Sequence, residues 1–158
     1  MFNFRKLSAR RREPRGSPFG AALLALERGD AAEAYGRLTE LLAGERLSAP
    51  EEALLRNKRG VALVRMNRKN EAMAEFSTAL KLQPGFAATL VNVGNLSLED
   101  GDVRAAITYY EAAVQSDDSY AIAHLNLGVA YKKAGRYDEA VRELRTATRL
   151  ENREPRRR

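Results

Sequence analysis

The sequence predicts an all-α fold of antiparallel helix pairs, and three observations support this prediction. Small residues recur at an interval of 34 positions, the length of one helix–turn–helix unit. Apolar residues within each unit lie three and four positions apart, as they do along one face of an α-helix. A glycine follows the first apolar stripe in several units, where a left-handed residue can end a helix. A chain of 158 residues that is 44% hydrophobic is large enough to bury such a core.

The repeat consists of small and apolar columns that coincide when the chain is shifted by 34 positions. A glycine within a helix costs about 1 kcal/mol relative to alanine, so its recurrence indicates a close helix crossing. We expect the alanines of each second helix to meet these glycines. The columns are Gly60, Gly94 and Gly128; Ala72, Ala106 and Ala140; Ala79, Ala113 and Ala147; Met73, Ile107 and Val141; and Phe76, Tyr110 and Leu144.

These columns resemble the tetratricopeptide repeat (TPR) family over residues 53–86, 87–120 and 121–154. The resemblance implies an all-α, right-handed superhelical solenoid of antiparallel helix pairs, with a concave face that binds other proteins. The terminal proline of the family pattern is present only once, as Pro84. The aromatic residue that opens the family's first helix is replaced by Arg56, Leu90 and His124.

A degenerate unit, residues 17–48, precedes these three repeats. Its Gly29 ends a first helix, and its Ala34 lies 38 residues before Ala72, so four extra residues are expected within 44–50. Ser48 and Glu51 have the spacing of a capping box at the start of the next helix. We therefore expect eight helices in a TPR domain over 17–150, flanked by a basic N-terminal arm (1–16) and a basic C-terminal tail (151–158).

Composition excludes several kinds of site. The chain has no cysteine and one histidine, which excludes disulfides, thiolate ligands and multi-histidine metal clusters. The longest apolar run, residues 21–26, is far shorter than the roughly 20 residues that span a bilayer. No signal-peptide pattern precedes it, so we expect a cytoplasmic protein.

No catalytic pattern emerges from the polar residues. His124 opens a repeat helix, which favours a packing role over that of a general base. Asp100 and Asp102 flank Gly101 in a predicted turn, and this favours a turn over a cation loop, which needs more oxygen ligands. No glycine-rich phosphate loop precedes a helix. We therefore expect no enzyme activity, no metal site and no cofactor.

The resemblance places a partner-binding groove on the first helices of the repeats. Asn92 and Asn126 are 34 positions apart, and amides at this spacing can pair with a peptide backbone. Ordinary solvent-exposed asparagines are an equal alternative. Only Asn92 fits the carboxylate clamp with which relatives hold acidic chaperone tails. The predicted groove residues are Asn57, Lys58, Val61, Val91, Asn92, Asn95, Leu125, Asn126, Val129 and Lys132, with Leu54, Val64, Ala88, Leu98 and Ile122 beside them.

The net charge of +6 comes entirely from the two ends of the chain, because the residues between them carry −1. Residues 1–18 hold six basic residues and one acidic residue, and 151–158 hold four and two. Phe2, Phe4 and Leu7 are mixed with basic residues near the N-terminus, which suits weak contact with an anionic membrane, a nucleic acid or an acidic protein. A solvated arm is the alternative. The predicted polyanion contacts are Arg5, Lys6, Arg10, Arg11 and Arg12.

The C-terminal end lacks the sequence of a capping helix, because only eight residues follow Leu150 and Pro155 is among them. We expect an outer face of Leu144, Ala147 and Leu150 that is covered by a second copy or by another protein.

Together these features predict a non-catalytic adaptor or scaffold that binds a partner peptide or helix in the groove. Two alternatives remain open. One is a structural subunit of a larger assembly, held through the N-terminal arm and the uncapped C-terminal face. The other is a protein that associates with nucleic acid or an anionic membrane through its arms.

Overall fold

The computed structural model describes residues 16–44 and 46–153, and these residues form eight α-helices, as predicted. The last helix continues to Arg153, three residues into the expected C-terminal tail. None of the described helices is long and apolar enough to cross a membrane. The helices are α1 (Pro18–Arg28), α2 (Ala31–Gly44), α3 (Ala49–Arg65), α4 (Lys69–Leu82), α5 (Ala87–Glu99), α6 (Val103–Ser116), α7 (Ala121–Lys133) and α8 (Tyr137–Arg153).

The chain divides into two compact units, an N-terminal unit that ends at Gln83 and a C-terminal unit that begins at Pro84. Within the N-terminal unit, α1 packs against α2, α2 against α3, and α3 against α4. Within the C-terminal unit, each helix from α5 to α8 packs against the next, and α5 also contacts α7. Each unit is therefore a stack of helices that are neighbours in sequence, the packing expected of a repeat protein.

Local sequence fixes the helix ends. The Ser17 hydroxyl accepts a hydrogen bond from the Gly20 amide (2.8 Å), and the Asp102 carboxylate accepts one from the Ala105 amide (2.9 Å). The Glu51 carboxylate accepts from the Ser48 amide (2.8 Å), as the predicted capping box requires. Left-handed residues follow four of the helices: Gly29, Asn67, Gly101 and Gly135. Gly29 and Gly101 stand where the sequence predicts a helix end and a turn.

Each recurring glycine lies against a large side chain of the next helix. A Cβ atom added to Gly94 would lie 2.5 Å from the ring of Tyr110, and one added to Gly128 would lie 2.8 Å from Leu144. Gly60 meets the ring of Phe76 in the same way. The expectation that alanines meet these glycines holds in part at Gly128, where an added Cβ would also lie 3.2 Å from the backbone oxygen of Ala140. At Gly60 and Gly94 it is wrong, because an aromatic ring fills the space that the missing side chain leaves.

Candidate functional site

An exposed apolar stripe runs along α7. Among residues 16–44 and 46–153, five large hydrophobic side chains are exposed, and three of them lie on this helix. Ile122 is 48% exposed, Leu125 40% and Val129 39%. Their spacing of three and four residues places them on one face of the helix. Lys132, also exposed, continues the same face in the last turn. The stripe therefore offers apolar contacts that end in a positive charge.

Side-chain amides lie beside this stripe and connect α5, α6 and α7. The Oδ1 atom of Asn95 accepts hydrogen bonds from the Asn126 Nδ2 (2.9 Å) and from the Tyr110 hydroxyl (2.7 Å). Asn92, one turn earlier on α5, is partly buried. Asn126 therefore bonds to Asn95 within the chain, and its pairing with an external backbone stays a prediction. The bond fixes the amide group next to the apolar stripe.

Two predicted groove residues are buried and inaccessible to a partner. Asn57 is 2% exposed and Val91 is 3% exposed, because both side chains point into the packed interior of their units. The prediction that they contact a partner is therefore wrong. Lys58 and Val61 lie on α3 in the N-terminal unit and are partly buried. Burial lowers the pKa of Lys58, and the nearby positive charge of Arg65 lowers it further.

We call the accessible part of the predicted set in the C-terminal unit the α5–α7 surface. It combines exposed aliphatic side chains with half-buried amides and one cation, which are the groups that hold an extended or helical peptide. Its residues are Asn92, Asn95, Ile122, Leu125, Asn126, Val129 and Lys132.

His124 is buried, in agreement with the packing role that the sequence favoured. Its Nε2 lies 3.0 Å from the backbone oxygen of Asp118. Its Nδ1 lies 2.6 Å from the Glu143 carboxylate on α8. The imidazole thus connects α7 to α8 and to the preceding turn.

The predicted polyanion contacts, Arg5, Lys6 and Arg10 to Arg12, lie outside the described residues, as do Pro155 and the final arginines. Their role stays a prediction.

At the C-terminal end, Leu144 and Leu150 are partly buried, but Ala147 is fully packed inside the α7–α8 pair. The expectation that Ala147 belongs to the outer face is therefore wrong.

The repeat geometry and two sequence matches identify the family. Models of the tetratricopeptide repeat match the chain over residues 19–85 and over residues 97–157. The chain belongs to the tetratricopeptide repeat family. Its fold is accordingly an all-α TPR solenoid, as the resemblance implied.

Solved structures of TPR proteins share this fold at low sequence identity. The chain is similar to PilF of Pseudomonas aeruginosa (TM-score 0.75, 22% identity), with 89% of this chain and 63% of that chain covered. It is similar to MamA (TM-score 0.69, 20% identity), with 89% and 80% covered. It is also similar to YrrB, a TPR protein with an unusual peptide-binding site (TM-score 0.63, 20% identity), with 87% and 69% covered. At these identities the likeness concerns the fold.

Proposed function

We propose that this TPR protein is a non-catalytic adaptor that binds a peptide or helix of a partner protein on its α5–α7 surface. The TPR fold is a protein–protein interaction module, and YrrB carries a peptide-binding site on the same fold. The observation that carries the proposal is the exposed stripe of Ile122, Leu125 and Val129. Clustered exposed hydrophobic side chains on a soluble fold are typical of interaction sites.

The surface also favours a particular kind of ligand. The stripe from Ile122 to Val129 covers seven helical steps, or about 10 Å, which is long enough for two or three apolar side chains of a ligand. The amides of Asn95 and Asn126 are held in place by their mutual bond, and their remaining amide groups can pair with the backbone of a ligand. Lys132 at one end favours a carboxylate there. We therefore expect ligands with two apolar residues and an acidic residue on one side.

Substitution within the stripe tests this proposal. A phage-displayed dodecapeptide library selected on the full-length protein supplies the probe, and calorimetry measures the affinity of the enriched peptides. Leu125→Asp should weaken binding at least tenfold, because a charge replaces an apolar contact at the centre of the stripe. Leu125 is already 40% exposed, so the variant should melt close to the wild-type temperature.

Tyr137→Asp is the matched control. Tyr137 is 65% exposed and lies on α8, away from the α5–α7 surface, so the same change in charge should leave peptide affinity within about twofold. Equal affinity of wild type and Leu125→Asp for every enriched peptide would refute the placement of the site on α7.

A further inference from the structure

The outer face of α8 is a second surface with unusual chemistry. An open depression runs along this helix, and we call its lining the α8 outer face. Val141, 46% exposed, begins an apolar strip that includes Leu144, while arginines occupy the adjoining edge. The lining residues are Val141, Leu144, Arg145, Thr148, Arg149, Asn152 and Arg153.

The repeat shows what such a face accommodates. Five of the seven residues of the α8 outer face, from Val141 to Arg149, stand 34 positions after a residue of α6, and α6 is packed against the following helix, α7. Ile107, which corresponds to Val141, is only 6% exposed. The surface geometry of α8 is therefore that of a helix that receives another helix beside it, and in the described chain no further helix follows.

One position on this face has the opposite charge to its counterpart on α6. In α6, Glu111 accepts a hydrogen bond from the Tyr131 hydroxyl of the following helix (2.6 Å). In α8 the corresponding residue is Arg145, so an acceptor has been replaced by a cation. A helix that packs here would pair with Arg145 through an acceptor, and a carboxylate forms the strongest such pair.

Two further arginines extend the positive charge along α8. Arg145, Arg149 and Arg153 are four residues apart and form a single row, one turn between neighbours. Like charges at this spacing repel and weaken a helix. Among the described residues, none of the three forms an ion pair that would offset the repulsion. The row is electrostatically complementary to a row of carboxylates.

We propose that the α8 outer face binds an acidic amphipathic helix of a partner protein. The partner helix packs on α8 as α7 packs on α6. Its apolar side chains cover Val141 and Leu144, and its carboxylates, one turn apart, pair with Arg145 and Arg149.

Three segments of a second copy do not match the charge of this face. Two α8 helices placed against each other would bring the arginine row against itself. The first helix of another copy, α1, carries a single acidic residue, Glu27, next to Arg28. Residues 1–15 of the chain hold six basic residues and one acidic residue, so they have the wrong charge as well. An acidic helix from a different protein matches both the apolar strip and the arginine row.

A designed peptide tests the proposal with the full-length protein. The probe is a fluorescein-labelled helical peptide with glutamates every four residues beside a leucine stripe. Its scrambled form, which has the same composition without the helical periodicity, is the control peptide. Fluorescence anisotropy should show that Arg145→Glu/Arg149→Glu weakens binding of the probe at least tenfold. The same variant should bind a version with lysines in place of the glutamates at least tenfold better than wild type does.

The control variant Lys81→Glu/Arg104→Glu carries the same change in net charge on exposed positions of α4 and α6. It should bind the probe within about twofold of wild type. Equal loss in the two variants, or equal affinity for the scrambled peptide, would overturn the proposal in favour of general charge attraction.

Two other results would overturn the proposal by identifying a different occupant of the α8 outer face. One is a wild-type dimer in light scattering that Val141→Asp dissolves. The other is binding to phosphatidylglycerol vesicles without binding to the peptide.

Discussion

Replacing Gly94 by leucine should lower the free energy of unfolding by more than about 2 kcal/mol. The Cβ of any residue at this position would lie 2.5 Å from the Tyr110 ring, a separation that packed atoms do not tolerate. Tyr110 cannot move aside easily, because it is completely buried and its hydroxyl donates to Asn95. Urea denaturation followed by circular dichroism measures the loss.

Two other glycines provide the comparison. Gly36 lies within α2 with no atom within 4 Å of an added Cβ, so Gly36→Leu should be neutral or stabilising by up to about 1 kcal/mol. Gly128→Leu should also be destabilising, because the added Cβ would lie 2.8 Å from Leu144 and 3.2 Å from the backbone oxygen of Ala140. Equal stability of Gly94→Leu and wild type would contradict the helix crossing and the repeat register.

Alkaline pH should unfold the protein through two buried tyrosines. Burial, followed by the negative charge of Glu99, raises the pKa of Tyr110 to about 12. Burial also raises the pKa of Tyr131 to about 12, with the hydrogen bond to Glu111 as the next contribution. Since the pKa of an unfolded tyrosine is about 10, the stabilisation is complete below pH 10 and is lost as the pH rises through 12. Each tyrosine accounts for roughly 2 to 3 kcal/mol.

The measurement is the unfolding free energy of wild type and of Tyr110→Phe/Tyr131→Phe between pH 8 and pH 12. The variant should be less stable at pH 8, because two hydrogen bonds are lost at about 1 kcal/mol each. It should lose less stability than wild type above pH 10, because two of the titrating groups are gone. The titration of lysines, Lys58 included, is common to both proteins and cancels in the difference. Parallel curves for the two proteins would contradict this account of the tyrosines.

The sequence was sufficient to predict the fold because the repeat encodes it several times. The glycine columns, the apolar columns and the turn glycines each specify the same helix boundaries, and Gly29, Gly101 and Gly135 adopt the left-handed conformation as expected. Helix boundaries depend mainly on residues that are close together in the chain, so a single sequence contains the information needed to predict them.

Side-chain accessibility and pairing were harder to predict. Asn57 and Val91 occupy groove positions of the repeat pattern, yet packing buries them, and the depth of a side chain depends on neighbours that periodicity does not specify. The bond from Asn126 to Asn95 spans 31 residues, so the 34-residue column pointed to Asn92 instead. The arginine row of α8 was missed, although the exchange of Glu111 for Arg145 at the repeat interval was a visible signal.

The central claim, that the α5–α7 surface binds a peptide, is tested most directly by NMR. Backbone and side-chain amide shifts of the ¹⁵N-labelled full-length chain should be recorded as an enriched dodecapeptide is added. We expect the largest shifts at Asn95, Leu125, Asn126 and Val129, including the side-chain amide of Asn126. Saturating binding that leaves α7 unperturbed, with the largest shifts on α1 or α2, would contradict the claim.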